Sequence, residues 1–453
     1  MTRRFVLPTT AILAMLISAP AAFAEENAPP TDEIPRNLSL DEAVRIARAH
    51  QPQLRQAHAQ TEAAGGRSDE SRAPLLPQVN SNASYLFNDS WPQNSATVMQ
   101  PPGGGPVTTG IVTGGTSTLF SAGLTANQLL YDFGQNWSRW KAAQSSEESQ
   151  RQTELATTLQ VILTVRSTYL GARANKALVA VARETLDNQN RHLSQVQDFV
   201  DVGTHPEIDL AQARADQATA ELQLINAQSA YAISRAQLRQ AMGVNGNADF
   251  DVSEEMISPV IGEDSASDRL TAQALAARPE FRALEEQLRA QELAIRAVKG
   301  TFGPAFGLTG SANYRLPDQN TARQVFTISG GLTLQWALLE GGLERGRLRE
   351  NAALLDNLRA GVDLLRQQVT VEVEQARVAV VSSKAAIGSA DKALVNARER
   401  LRLAEARYQT GIGNAIELGD AQLAVTNAGV QKLQAEFQLG VARAQLMKAL
   451  GQT

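Results

Sequence analysis

Cysteine is absent from all 453 residues, so a disulfide framework, a thiol nucleophile and a thiolate metal site are excluded. Histidine is scarce. His50, His58, His192 and His205 show neither HExxH spacing nor a paired-carboxylate context, so no catalytic residue, metal site or cofactor is expected. Aromatic residues make up only 5% of the chain, few for large globular cores. Long packed helices, whose seams accept Ala, Gln and Arg, fit that composition better. No sign of charge dominates: 42 Lys and Arg stand against 47 Asp and Glu, a net charge of -5 with no basic block. Nucleic acid is therefore not an expected partner. Gly103-Gly104-Gly105 lacks the Lys and following helix of a phosphate loop and reads as an exposed loop tip.

Long apolar runs are also missing, except at the start. Arg3 and Arg4 precede an apolar run from Phe5 to Ala19, and Ala22-Phe23-Ala24 follows, so residues 1–24 read as a secretory signal peptide. The adjacent arginines suggest the twin-arginine route, but that route serves prefolded cofactor proteins. Loss of the two arginines makes the chain more acidic, which favours cations over anions in an enclosed space. No Cys follows the cleavage site to take a lipid anchor. Further on, no stretch approaches the roughly 18 apolar residues of a spanning helix, so entry into a membrane requires strands.

What the chain does contain is a repeat. Leu130-Tyr131-Asp132-Phe133-Gly134 matches Leu338-Leu339-Glu340-Gly341-Gly342 at an offset of 208, and Ile208-Asp209-Leu210 matches Ile416-Glu417-Leu418 at the same offset. Leu238–Gly243 likewise matches Leu446–Gly451, whereas Gln51-Pro52-Gln53-Leu54 matches Arg278-Pro279-Glu280-Phe281 at 227. The larger offset places an insertion in the first copy, in the Pro/Gly/Thr-rich segment from Trp91 to Thr116. The copies are assigned to residues 25–250 and 251–453.

Each copy reads helix, strand, loop, strand, long helix, turn, helix. In the first, Ser39-Leu40-Asp41-Glu42 is a capping box opening a helix over about 39–73. Strands follow at about 77–90 and 117–132, then helices at 135–202 and 207–242. The second copy gives helices at about 265–299, 343–410 and 415–450, with strands at 302–316 and 325–339. A continuous helix over 135–202 would be about 100 Å long at 1.5 Å per residue, far too long for a globular core. Ala211, Ala215, Ala218, Leu222, Ile225, Ser229, Ala232 and Ala236 step 4-3-4-3, and the equivalent positions from Gly419 to Ala444 keep that register, as coiled-coil seams do.

Strand alternation points to a membrane. Phe326, Ile328, Leu332, Leu334 and Trp336 alternate with Thr327, Ser329, Thr333 and Gln335, an apolar face opposite a polar one. Such a dyad in an exported chain is that of a barrel with a wet lumen. Four strands per chain cannot close a barrel, and open edges in lipid are prohibitively costly. The barrel must be shared, and a homotrimer would supply twelve strands.

The repeat, Leu40-Asp41-Glu42-Ala43 with Gln51-Pro52-Gln53-Leu54, the Tyr131-Asp132-Phe133-Gly134 turn and the hairpins at Gly203 and Gly411 resemble the TolC family of outer-membrane efflux proteins over almost the whole mature chain. The resemblance implies an α+β trimeric duct: a twelve-stranded shared β-barrel in outer-membrane lipid, continued into the periplasm by a coiled-coil helical tunnel. It implies docking to a periplasmic adaptor and an inner-membrane transporter, and passive conduction of small toxic molecules. The alternatives are service in type I protein secretion and, from another class, a periplasmic adaptor without a pore, which would lack the four alternating strands. Glu417 and Asp420 lie three apart on one helical face, and threefold symmetry would make them two acidic rings. They match the family's cation-selective periplasmic gate. The plain alternative is a solvated helix face whose acids answer the helix dipole. Asp209 and Tyr408 fall where similar proteins latch the gate, but Gly413 stands where the best-known member has an arginine, which removes the salt-bridge part of that latch. The tips Gly203, Thr204, Gly411 and Ile412 are the expected adaptor contacts.

Overall fold

The computed structural model describes residues 35–89, 116–204, 206–246, 249–317, 325–410 and 412–452. The signal-peptide segment, the Trp91–Gly115 part of the insertion, His205 and Gly411 lie outside the described residues.

Two elements open each copy where one helix was expected. Strand β1 (Asn37–Leu38) leads to α1 (Leu40–His50), whose capping box is complete: Glu42 N–H donates to Ser39 Oγ at 3.2 Å, and Ser39 N–H donates to Glu42 Oε2 at 3.0 Å. The chain then breaks at Gln51 (ψ 119°) before α2 (Pro52–Arg72). The second copy does the same at Arg278 (ψ 129°), between α5 (Ser267–Ala277) and α6 (Pro279–Gly300). The expected single helices over 39–73 and 265–299 are thus corrected to pairs. Proline has no N–H for the helical ladder and pushes the preceding residue out of the α region. The break is used in packing. Gly243 (φ +73°) ends a later helix against it, where a Cβ would lie 2.6 Å from Gln51 Cα, and Gly451 (φ +70°) does so against Ala277 and Arg278.

After α2 come β2 (Gln78–Asp89) and β3 (Thr116–Tyr131); after α6 come β5 (Ala305–Pro317) and β6 (Val325–Gln335). They form one antiparallel sheet in the order β2-β3-β5-β6, so β2 and β6 are both edges. The last strand, expected over 325–339, stops at Gln335 because its partner begins at Ala305 and the ladder ends at that pair. Register puts Tyr85, Phe120, Leu124, Leu308, Ile328 and Leu332 on one face. The other face holds hydroxyl and amide pairs such as Ser84–Ser121 at 2.7 Å and Ser311–Ser329 at 2.8 Å.

The shafts are α3 (Gln135–Asp201) and α7 (Leu343–Gln409), each of 67 residues, returned by α4 (Glu207–Met242) and α8 (Ala415–Ala449). Each copy has its own core at the waist. Tyr169, Leu238 and Met242 centre one, and Val369, Val373 and Leu446 the other. The strap between copies includes β4 (Asp251–Val252), which pairs in parallel with β1. No helix among the described residues is long and apolar enough to cross a membrane.

The expected seam stripe splits in meaning. On α8 it packs against α3: Thr426 and Thr185 hydroxyls meet at 3.2 Å, and a Cβ on Gly440 would lie 2.9 Å from Leu170. On α4 the equivalent stripe is exposed throughout, with Leu222 57% and Ile225 52% accessible. The face of α4 turned toward α3 instead carries Leu210, Ala213, Ala220, Ser234, Leu238 and Ala241.

Candidate functional site at the hairpin tips

The sharp reversals are built by backbone. At the end of α3, Gly203 takes φ +80°, which a side chain would resist, and Thr204 returns both its N–H and its Oγ1 to Phe199 O at 2.9 and 2.8 Å. In the second hairpin, the N–H groups of Ile412 and Gly413 both donate to Arg407 O, at 3.0 and 2.9 Å. A Cβ on Gly413 would sit 3.0 Å from Tyr408 N, so a longer residue there requires the turn to shift. The Asn414 side chain caps α8 by accepting from Glu417 N–H at 2.7 Å.

The acidic pair is separated in role. Glu417 accepts a charge-assisted bond from Arg407 Nη1 at 2.8 Å, whereas Asp420 is exposed. A tip salt bridge therefore exists despite Gly413, but it closes within one hairpin. Arg407 lies ten residues from Glu417 across a turn, so no helical periodicity marks the pair. Asp420 instead shares a cleft of about 640 Å³ with Asp209 and Asp216, between α3, α4 and α8. Gln189 and Gln422 bridge its wall at 3.0 Å.

Tyr408 is a packing residue, 5% exposed, clustered with Ala404, Leu418 and Ala421. Its ring meets His192 at 5.6 Å and Phe199 at 6.5 Å between centroids, tying the second hairpin to α3. Burial, and then the Asp209 carboxylate, push its phenol above the ordinary value, so Asp209 stands within electrostatic reach. Burial lowers the His192 pKa, against the opposing pull of Asp216 and Asp209. Sequence periodicity gave no sign of His192 because its partner lies on another helix. The tips themselves are apolar: Val202, Ile208, Ile412 and Ile416 are 78%, 74%, 75% and 73% exposed. Among the described residues no group of acids and histidines is placed to hold a metal ion.

Comparison with known proteins adds a second line. The profile of the outer membrane efflux protein family matches residues 43–244 and 270–452. The chain is 26% identical over 429 residues to the probable efflux pump outer membrane protein SepC of Pseudomonas putida, covering 92% of this chain and 84% of that one. It is also 26% identical over 332 residues to the fusaric acid resistance protein FusA of Burkholderia cepacia, covering 72% and 59%. Among solved structures, a membrane protein from Pseudomonas aeruginosa superposes with a TM-score of 0.76 at 21% identity, covering 91% and 92%. The outer membrane protein VceC of Vibrio cholerae gives 0.74 at 18% identity, covering 91% and 96%.

Proposed function

The chain belongs to the outer membrane efflux protein family, and on that premise we propose that three copies build one exit duct for small toxic molecules. It is the outer-membrane component of an efflux system, with its helical part in the periplasm, and not an enzyme. The carrying observation for assembly is the unfilled half of the repeat. Within the chain α8 lies on α3; applying the 208-residue offset, α4 must lie on α7, and that α7 belongs to a second copy. The side chains agree. Gly440 against Leu170 becomes Ala232 against Val378, a methyl group moved across the seam, and Val378 is 50% exposed in the single chain. The two free sheet edges at β2 and β6 need partners for the same reason.

Repeating the contact around a threefold axis gives twelve strands and a helical tunnel. In that duct Asp420 and, partly neutralised, Glu417 form the cation-attracting constriction, with Asp209 and Tyr408 as the joint between hairpins. The apolar tips at Gly203, Thr204, Gly411 and Ile412 are the surface for a periplasmic adaptor, which links the duct to an inner-membrane transporter. The relative named as a fusaric acid resistance protein supports a small-molecule cargo. The test is to delete the gene and compare susceptibility to fusaric acid, with purified protein weighed in detergent. Increased susceptibility restored by the intact gene, and a particle of three chains, are expected. Unchanged susceptibility would reject the cargo, and a monomer would reject the duct.

A further inference from the structure

We propose that the base of the barrel carries a built-in site for anionic phospholipid headgroups, made of cations and aromatic rings where the helices meet the strands. This rests on the outer-membrane placement and adds a lipid preference to it. The apolar sheet face ends at Tyr131, Phe306 and Trp336, which are 56%, 42% and 53% exposed. Beyond that line Phe133 has φ +53°, a left-handed conformation that costs an aromatic residue free energy, and its ring stays 50% exposed. It lies 5.0 Å from the Tyr131 ring and over Gly303, where a Cβ would come within 2.5 Å of it. Buried Asp132 fixes the turn by accepting from Gly134 N–H at 3.2 Å and Asn136 N–H at 2.8 Å. Trp336 Nε1 donates to Phe302 O at 3.1 Å. Strain, a glycine seat and a buried carboxylate thus serve to present rings at one level, where amphipathic rings settle among headgroups.

The cations supply the anion preference. Lys141 Nζ stands 4.7 Å from the Trp140 centroid and 5.4 Å from that of Trp137, and the Arg72 guanidinium lies 5.6 Å from Trp140. Arg139 is exposed on the same turns, and α3 has no acid before Glu147. Among the described residues, Arg72, Arg139, Lys141, Lys299, Arg345 and Arg349 form no ion pair, although the chain as a whole is acidic. Of the nearby acids, Glu344 is held by Arg347 at 3.0 Å and by Thr301 at 2.7 Å, and Glu148 and Glu286 are paired with Arg151 and Arg289, which leaves Asp69, Glu70, Glu292, Glu340 and Glu350 as the opposing charges. Phosphate diesters at the membrane surface complement such a collar, each cation contributing several-fold to the preference.

The test uses the intact, delipidated protein in neutral detergent, titrated with phosphatidylglycerol or phosphatidylethanolamine and weighed by native mass spectrometry. The wild-type protein should retain phosphatidylglycerol at least about five-fold more than phosphatidylethanolamine, and the preference should fall as salt rises. Arg139→Gln with Lys141→Gln should bring it near equality while the particle mass stays unchanged. Arg191→Gln with Arg400→Gln, far along the shafts, should leave it intact. An assembled wild-type protein without a preference, or with one insensitive to salt, overturns the lipid site alone. A wild-type protein that is monomeric overturns the duct. If the double variant fails to assemble, the salt dependence of the wild type still decides.

Discussion

Leu170 and Val378 hold the same place in the two copies, yet Leu170 is 2% exposed and Val378 is 50% exposed. Leu170 is covered by Gly440 and Ala444 of α8. Val378 has no such cover because the helix that would supply it, α4, turns its matching stripe away from the chain. In the proposed duct, one sequence period serves two addresses, one inside the polypeptide and one outside it. The waist shows a second contrast. Lys176 and Arg235 grip the start of the strap through Asp251 and Asp249, and their repeat-mates Lys384 and Arg443 grip its far end through Glu263. The first acids are open to solvent, Asp249 91% exposed and Asp251 48%, whereas Glu263 is 4% exposed and held to a pKa of about 2. Burial works against that lowering, and the Arg443 and Lys384 hydrogen bonds overcome it.

The largest expected effect comes from breaking the outside address. Val378→Asp should abolish assembly, since a carboxylate would be buried without a partner, while circular dichroism of the chain stays helical. Leu170→Ala should instead cost about 2–4 kcal/mol within the chain and leave the assembly contact in place. Persisting trimers of Val378→Asp would show that the stripe faces solvent. Next is the strap. Arg443→Ala strips a buried acid of its main partner and should cost about 3 kcal/mol; Arg235→Ala, at the exposed end, should cost less than about 1 kcal/mol. Thermal dissociation of the purified particle measures both, and equal shifts would contradict the asymmetry.

Smaller effects belong to the tips. His192 lies in the first hairpin's shaft, and its repeat-mate Arg400 is exposed. With the folded pKa of His192 below the unfolded value of about 6.5, the unfolded chain binds the proton more readily. Its contribution is intact above that pH and declines as pH falls below it. Proteolysis at the tips should therefore quicken between about pH 7 and 5.5, and His192→Phe should flatten the profile. An unchanged profile would remove His192 from the joint. Least of all, Asp420→Ala should relieve block of single-channel current by multivalent cations more than Glu417→Ala does, because Arg407 already offsets Glu417. The reverse order would reject the cleft as the constriction.

Periodicity and turn residues made much of this architecture legible. The 4-3 stripe and the strand dyad are local patterns with strong physical causes, and the reversal at Gly203 follows from glycine's tolerance of positive φ. Sequence was poor at saying which partner a stripe meets: small residues on α4 and α8 look alike, and only packing shows that one set faces α3 and the other faces outward. The breaks at Pro52 and Pro279 were readable from proline chemistry, but helical composition on both sides masked them. Arg407–Glu417 and His192–Tyr408 join residues across turns and between helices, where no spacing rule applies.

The absence of cysteine makes the central claim directly measurable. Thr185 and Thr426 touch within the chain, and the 208-residue offset turns them into Ala393 and Ala218. Ala218→Cys with Ala393→Cys, oxidised in the native membrane, should give disulfide-linked oligomers up to three chains on a non-reducing gel, with each single variant remaining monomeric. A double variant that stays monomeric under oxidation, while Thr185→Cys with Thr426→Cys closes within the chain, would contradict the shared duct.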